Sequence, residues 1–199
     1  MAYDERLVAE GMPTLRFFRW SVPALSWGYR QRPPDWVDAS ACAARGVELV
    51  ERPTGGGLAV HGTDLSCSVV IPRRPDLPLR GCMAGLCELF AQGCCVFDVI
   101  VKWDIETRGR GRVAYCLTET SPYALMVGDR KLGGFAVRAY AGSWLIQGSL
   151  LIRPVPEAIR RIMPEWVQCA YGTRAMCLEE AAGGPIDEAM LIDACRSQK

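Results

Sequence analysis

Apolar and polar positions change rhythm several times along the chain, and each change marks a candidate element. Residues 2–10 have amphipathic helical spacing, stopped by Gly11 and Pro13. Leu15–Trp20 carries aromatics at strand density, and Ala24–Tyr29 reads as a second strand. Pro33 and Pro34 precede a helix expected to end near Gly46, because a glycine suits a helix C-terminus. Val47–Arg52 is a short apolar-rich strand that runs into Pro53-Thr54-Gly55-Gly56-Gly57 and then Leu58-Ala59-Val60-His61. Leu65–Ile71 reads as a strand closed by Pro72.

Met83, Leu86, Leu89 and Phe90 recur at helical spacing and predict a helix over 82–92, with Gly93 as its stop. Val96–Val101 reads as a strand, and Glu106–Arg112 as a polar, mobile surface loop. Four strands follow, over Val113–Leu117, Tyr123–Val127, Leu132–Ala139 and Trp144–Ile152. Gly128-Asp129 is a good two-residue hairpin turn between the second and third. Helices over 156–163 and 187–195 complete the pattern. Runs of strands with helices interspersed, rather than strict βαβ alternation, argue one α+β domain.

Composition narrows the function classes. A chain of 199 residues buries a substantial single core. Its 23 basic and 22 acidic side chains leave a net charge of +1, which gives no support to a generic nucleic-acid binder or a membrane-surface protein. A local basic cluster does exist at Arg108, Arg110 and Arg112. The 10 cysteines are scattered without paired CxxC spacing, and no apolar export segment follows the N-terminus. They read as small buried hydrophobes of a reducing compartment, so the chain is expected to be cytosolic (cytoplasmic), with no metal site and no membrane span.

Three consecutive glycines after a strand need a backbone reason, because glycine loses the most chain entropy on folding. One reason is a ligand lying against the main chain, with N–H groups turned toward an anion; a flexible turn is the plain alternative. The loop is neither a Walker A loop nor a GxGxxG fingerprint. Arg52, three residues before Gly55, suits carboxylate or phosphate recognition. His61 is the only histidine of the chain. A second constellation runs from Cys116 through Lys131, Gly133 and Gly134 to Gln147-Gly148-Ser149. A lysine just past a hairpin turn is placed to reach a carboxyl or phosphate, or is simply a solvated turn residue. Cys116 is a candidate nucleophile, or one more packing thiol; a nearby ammonium would raise its reactivity.

Taken together, the segments resemble the lipoate-protein ligase A and octanoyltransferase family, which shares its catalytic fold with biotin protein ligases. The resemblance rests on Glu51-Arg-Pro-Thr-Gly-Gly-Gly-Leu-Ala-Val-His61, Asp129-Arg-Lys-Leu-Gly-Gly134 and Gly148-Ser-Leu-Leu151, in that order. Leu15-Arg-Phe-Phe-Arg-Trp20 and Leu25-Ser-Trp-Gly-Tyr-Arg-Gln31 look like the family's opening strands. It implies a central mixed β-sheet with flanking helices, and a single catalytic domain over 1–199 without the accessory C-terminal domain of full ligases. Arg52, Thr54, Gly55, Gly56, Gly57 and His61 would line one wall of an acyl tunnel. Lys131, Gly133, Gly134, Gln147 and Gly148 would line the other, with Lys131 polarising the acyl carbonyl.

The implied acceptor is a lysine on a lipoyl domain or on the glycine cleavage H protein. The donor is an octanoyl-acyl carrier protein or free lipoate, with neither nucleic acid nor membrane as partner. Cys116-Leu-x-x-x-Ser-Pro-Tyr123 is similar to the Cys-Phe and Ser-x-Tyr segments of the transferase branch, and implies catalysis by Cys116 and Lys131 through a thioester, with no cofactor. The ligase alternative implies ATP, Mg²⁺ and an acyl-adenylate; a non-catalytic acyl-binding or lipoyl-domain-binding subunit is a third. Two positions depart from the family pattern. Gln147 stands where a histidine is usual, and Phe135 where a small residue is usual, which would narrow the tunnel or leave the protein without turnover.

Overall fold

The computed structural model describes residues 2–103, 115, 116, 118, 119 and 121–197. The expected loop Glu106–Arg112 with its arginines, and Val113, Ala114 and Leu117 of an expected strand, lie outside these residues. The first half contains α1 (Ala2–Glu10), β1 (Thr14–Phe18), β2 (Ala24–Trp27), α2 (Ala39–Ala43), β3 (Glu48–Glu51), β4 (Ala59–His61), β5 (Asp64–Pro72) and α3 (Leu79–Cys95). The second contains β6 (Lys102–Trp103), β7 (Leu125–Val127), β8 (Arg130–Ala139), β9 (Ser143–Leu151), α4 (Glu157–Arg160), α5 (Glu165–Arg174), α6 (Leu178–Ala182) and α7 (Glu188–Arg196).

The strands form two sheets. The larger has the order β1-β5-β9-β8-β7-β6, and all its pairings are antiparallel. The smaller, β3-β2-β4, supplies the mixed character, with β2 parallel to β3 and antiparallel to β4. Register explains how the larger sheet divides its two faces, because side chains alternate with a period of two. Leu65, Leu150 and Gly133 stand in one cross-strand row, and Cys67, Gly148 and Phe135 in the next such row on the same face. That face packs on Phe90 and Cys87 of α3 and Leu191 and Cys195 of α7 as the main core. Each leucine or phenylalanine fully buried there contributes about 1.5–3 kcal/mol.

The opposite face carries the rows Ser66–Ser149–Gly134 and Ser68–Gln147–Ala136. It looks toward the smaller sheet, whose own far face is apolar. Leu25, Leu58 and Val60 pack there against Cys42 of α2, Ile159 of α4, and Val167 and Tyr171 of α5. The chain thus leaves a polar interlayer between two apolar cores. Helix α1 closes one end, burying Leu7 against Val70 and Leu145.

Several expectations are corrected. Val96–Val101 is not a strand: α3 continues through Gly93 to Cys95, a turn with Asp98 at φ +57° follows, and pairing resumes only in β6. Gly93 is no stop signal but a contact, since a Cβ there would lie 2.5 Å from Cys195 Sγ of α7. Tyr123 is not in a strand either; its φ of +62° delays β7 to Leu125. Within the expected strand Val113–Leu117, Tyr115 makes one parallel bridge to Leu58 and Cys116 lies in a turn. The expected helix 156–163 keeps only α4 as regular helix, while α5 and α6 arise in residues that carried no expectation.

Gly128-Asp129 does make the β7–β8 hairpin, with Gly128 at φ +57°. Gly46 ends the segment after α2 at φ +64°, with Val47 N–H donating to Cys42 O at 3.0 Å. No helix among the described residues is long and apolar enough to cross a membrane.

Candidate active site

The interlayer holds a cavity of about 310 Å³, within the size range of small-molecule sites. Arg52, Gly55, Gly56 and His61 line it from the small-sheet side, and Cys116 and Ser121 from the segment before β7. Lys131, Gly134, Gln147 and Gly148 line it from β8 and β9. The two constellations read from the sequence therefore meet across one space. Three expected residues stand just behind the wall. Thr54 is fully buried and donates to Gln147 Oε1 at 2.6 Å. Gly57 presents its carbonyl rather than its N–H, and a Cβ on Gly133 would strike Ser149 O at 2.5 Å.

Arg52 organises the glycine loop. It is 5% exposed, and its donors go to main-chain carbonyls: Nη2 to Gly55 O and Gly57 O, both at 2.8 Å, and Nη1 to Ser26 O at 3.0 Å. Nη2 also faces Cys116 Sγ at 3.6 Å. No carboxylate among the described residues pairs with it, and burial pushes the guanidinium below its ordinary pKa while the Cys116 charge pulls it back. Gly56, at φ +91°, lets the loop turn over this group; a Cβ there would lie 2.8 Å from Arg52 Nη2 and 3.4 Å from Cys116 Sγ.

Lys131 enters from the other side and is 3% exposed. Its Nζ donates to Glu119 O at 2.9 Å and Ser121 Oγ at 2.8 Å. Burial pushes its pKa down to about 8, against the raising influence of Cys116 and Glu119. Gly134 gives it room, because a Cβ there would sit 3.2 Å from Lys131 Cε. Cys116 itself is half-buried, held by its backbone N–H to Leu58 O at 2.9 Å, with Sγ 3.4 Å from Gly57 O. The other thiol lining the cavity differs: burial pushes Cys67 up to about 12, which keeps it protonated and inert.

His61 faces a network that the sequence hid. Its Nδ1 lies 2.8 Å from Asp64 Oδ2 and its Nε2 2.7 Å from Ser26 Oγ, while Trp20 stacks on the ring at 4.2 Å. Burial alone would raise the Asp64 carboxyl. His61, with the Ser149 and Ser66 hydroxyls, holds it below the usual carboxylate range instead. Ser26, Asp64 and Trp20 were not singled out as site residues, and Ser121 entered only as the serine of the Ser-Pro-Tyr123 segment. The available signal was polarity at the centre of an apolar strand for Ser26, and a carboxylate three residues past the only histidine for Asp64. Among the described residues, no group of three or more His, Cys, Asp or Glu side chains is arranged to hold a metal ion.

The two departures have physical accounts. Gln147 accepts from Thr54 through Oε1 and donates through Nε2 to Asp4 Oδ2 at 2.7 Å, so its amide bridges the glycine loop to α1. Asp4 is fully buried and also paired with Arg16. Gln147→Leu would leave buried partners short of a hydrogen bond and is expected to lower stability by about 1–3 kcal/mol, read from denaturant unfolding. Phe135 borders the cavity, but its ring packs edge-on against Phe90 at 5.5 Å and covers Gly148, where a Cβ would lie 2.6 Å from it. It stands in a row of the core-facing side.

Gly28 is a further missed position. Its N–H donates to Gly56 O at 3.0 Å, and a Cβ on it would lie 2.4 Å from that oxygen. Gly28→Ala is expected to displace the loop, lowering the unfolding free energy by about 1–3 kcal/mol and weakening binding in the cavity.

Two facing sheets that enclose one cavity, walled by a glycine loop and a buried lysine, have the architecture of a lipoate protein ligase catalytic domain. The profile of the lipoyl protein ligase A/B catalytic domain matches residues 1–198, and the chain belongs to that family. It is 34% identical over 219 residues to the octanoyltransferase LipM of Symbiobacterium thermophilum, covering 98% of this chain and 78% of that protein. The LipM of Moorella thermoacetica is likewise 34% identical, over 96% of this chain and 77% of that one. The fold matches a lipoate-protein ligase A bound with ATP at a TM-score of 0.76 and 21% identity, covering 98% of this chain and 75% of that one. A putative lipoate protein ligase of T. acidophilum with bound lipoic acid gives a TM-score of 0.75 at 20% identity, with the same coverage.

Proposed function

We propose that the chain is an acyltransferase of protein lipoylation, which moves an octanoyl group from a carrier thioester to a lysine of a lipoyl domain or of the glycine cleavage H protein. The observation that carries this reading is the Cys116 sulfur at the cavity wall, 3.6 Å from a buried guanidinium that has no carboxylate partner among the described residues. Negative charge developing on that sulfur is stabilised by Arg52 and by the Lys131 ammonium, in a site where burial strengthens both interactions. The curated relatives named above carry the same activity in their names.

The reaction runs in two halves. The Cys116 thiolate adds to the thioester carbonyl, the carrier's sulfur leaves and takes up a proton, and an acyl-enzyme thioester remains. The neutral ε-amine of the acceptor lysine then adds to that carbonyl; the carbon–sulfur bond breaks, and the proton lost from nitrogen returns to the Cys116 sulfur or to solvent. Lys131, with its pKa near 8, stays largely protonated at neutral pH and stabilises the oxyanion of both steps. No ATP is consumed on this route.

Intact-mass measurement after incubation with octanoyl-carrier protein tests it. The expected result is one octanoyl adduct, released on addition of an apo lipoyl domain. An adduct formed only with lipoate and ATP would replace this reading by the ligase one.

A further inference from the structure

The buried histidine network ends on the same guanidinium that faces the thiol, and its junction is one hydroxyl. We propose that Ser26 is a positioning residue for acyl transfer: its hydroxyl joins the Asp64–His61 pair to Arg52 and fixes that cation against the Cys116 sulfur. The inference rests on Cys116 being the acyl-accepting thiol. Ser26 is fully buried at the centre of β2, and its Oγ lies 2.7 Å from His61 Nε2 and accepts from Arg52 Nη1 at 3.2 Å.

The chain of bonds is anchored at its far end by Asp64. Asp64 Oδ2 already takes the Ser66 and Ser149 hydroxyls at 2.8 and 2.7 Å, and Oδ1 takes the Gly62 N–H at 3.1 Å. A carboxylate so placed calls for a donor on His61 Nδ1. Whichever of Nε2 and Ser26 Oγ carries the proton between them, the hydroxyl keeps a lone pair for the Arg52 Nη1 donor. Trp20, stacked on the imidazole, prevents the ring from rotating out of this arrangement.

At the near end, the guanidinium is a rigid plane, so moving one nitrogen moves all three. Its Nε and Nη2 are held by the loop carbonyls and, among the described residues, its Nη1 by Ser26, through the carbonyl at 3.0 Å and the hydroxyl at 3.2 Å. Loss of the hydroxyl leaves Nη1 on the Ser26 carbonyl alone and cuts its tie to His61, which loosens the plane and weakens the hold of Nη2 against the sulfur. The Ser26–His61–Asp64 spacing is also that of a hydrolytic triad. Here, however, the serine is enclosed and its lone pair is engaged by a cation, an arrangement that orients rather than attacks.

The test is the rate of Cys116 alkylation by iodoacetamide at neutral pH, followed by peptide mass spectrometry, together with kcat and KM for octanoyl transfer. Ser26→Ala is expected to slow alkylation about tenfold and to lower kcat by a similar factor with KM little changed, the scale of one hydrogen bond to a charged group. Ser26→Thr, which restores a hydroxyl, recovers most of both. Ser68→Ala removes an equally buried serine whose hydroxyl has no hydrogen-bond partner among the described residues, and leaves both at wild-type values.

Should Ser26→Ala fail to fold, His61→Gln reads the same chain from its far side, with alkylation slowed about threefold. Alkylation at the wild-type rate in these variants, or a change confined to KM, overturns the proposal. Wild-type protein that alkylates as expected, and loses that rate in Ser26→Ala, but never takes an octanoyl group, upholds the positioning role and removes the transfer reading instead.

Discussion

Cys116→Ala is expected to form no octanoyl adduct with a carrier thioester, and to lose transfer to an apo lipoyl domain by at least about 10³-fold. The loss is that large because no neighbour can stand in. The other thiol at the cavity, Cys67, is fully buried on the core-facing side of the larger sheet and is held protonated. The variant should fold normally, since Cys116 is only half-buried and its anchoring bond to Leu58 O is made by the backbone. Transfer that survives in Cys116→Ala with a thioester donor would mean that the acceptor lysine attacks the donor directly. Pyrophosphate release with lipoate and ATP, unchanged by the substitution, would mean an adenylate route in which this sulfur is a bystander.

Lys131→Met carries the second large effect, and it has two parts of opposite sign. Transfer should fall by about 10²–10⁴-fold with the loss of the ammonium. Stability at neutral pH should rise by about 1–2 kcal/mol, because a buried cation is replaced by an apolar side chain of similar length. The sign follows from linkage. The folded pKa is lowered from 10.5 to about 8, so between these values the unfolded chain binds more protons than the folded one. The wild type therefore gains stability as pH climbs through that window, and bears the full penalty of burial below it. The margin of Lys131→Met over wild type should narrow steadily from about pH 8 upward in urea titrations. A variant less stable than wild type at neutral pH would show that the bonds to Glu119 O and Ser121 Oγ outweigh the cost of burying the charge.

The site was legible in the sequence to the extent that it is made of short contiguous motifs. Pro53 to His61 and Asp129 to Gly134 each sit on one turn or strand, so reading along the chain finds them. What joins them was less accessible. Arg52 suits anions in isolation, yet its donors are directed to Ser26, Gly55 and Gly57, a role that exists only once β2 lies beside the loop. Asp64 reads as a strand-start polar residue until His61 and Ser149 are brought to it. Elements failed for similar reasons. Gly93 looks like a helix stop along the chain, but in space it is the point where α3 meets α7. Residues 96–101 have the apolar density of a strand and, among the described residues, no partner strand at that place in the sheet. Two strands of the smaller sheet were legible as Ala24–Tyr29 and Val47–Arg52, but β4 is only 3 residues long, and the pairing of all three is decided by tertiary packing.

The bridge from Thr54 through Gln147 to Asp4 also sets an order of assembly. The bond between Gln147 and Asp4 spans 143 residues. During synthesis the first helix leaves the ribosome long before its partner exists, and the Asp4 carboxylate, buried only once the fold closes, is solvated or paired with Arg16 in the interval. The glycine loop, held by the same glutamine, cannot take its final shape until β9 has been made and paired with β5. Catalytic geometry is thus among the last features to form, and a nascent or truncated chain that ends before Gln147 lacks most of the strand that joins β5 to β8, and with it both the six-stranded sheet and the cavity.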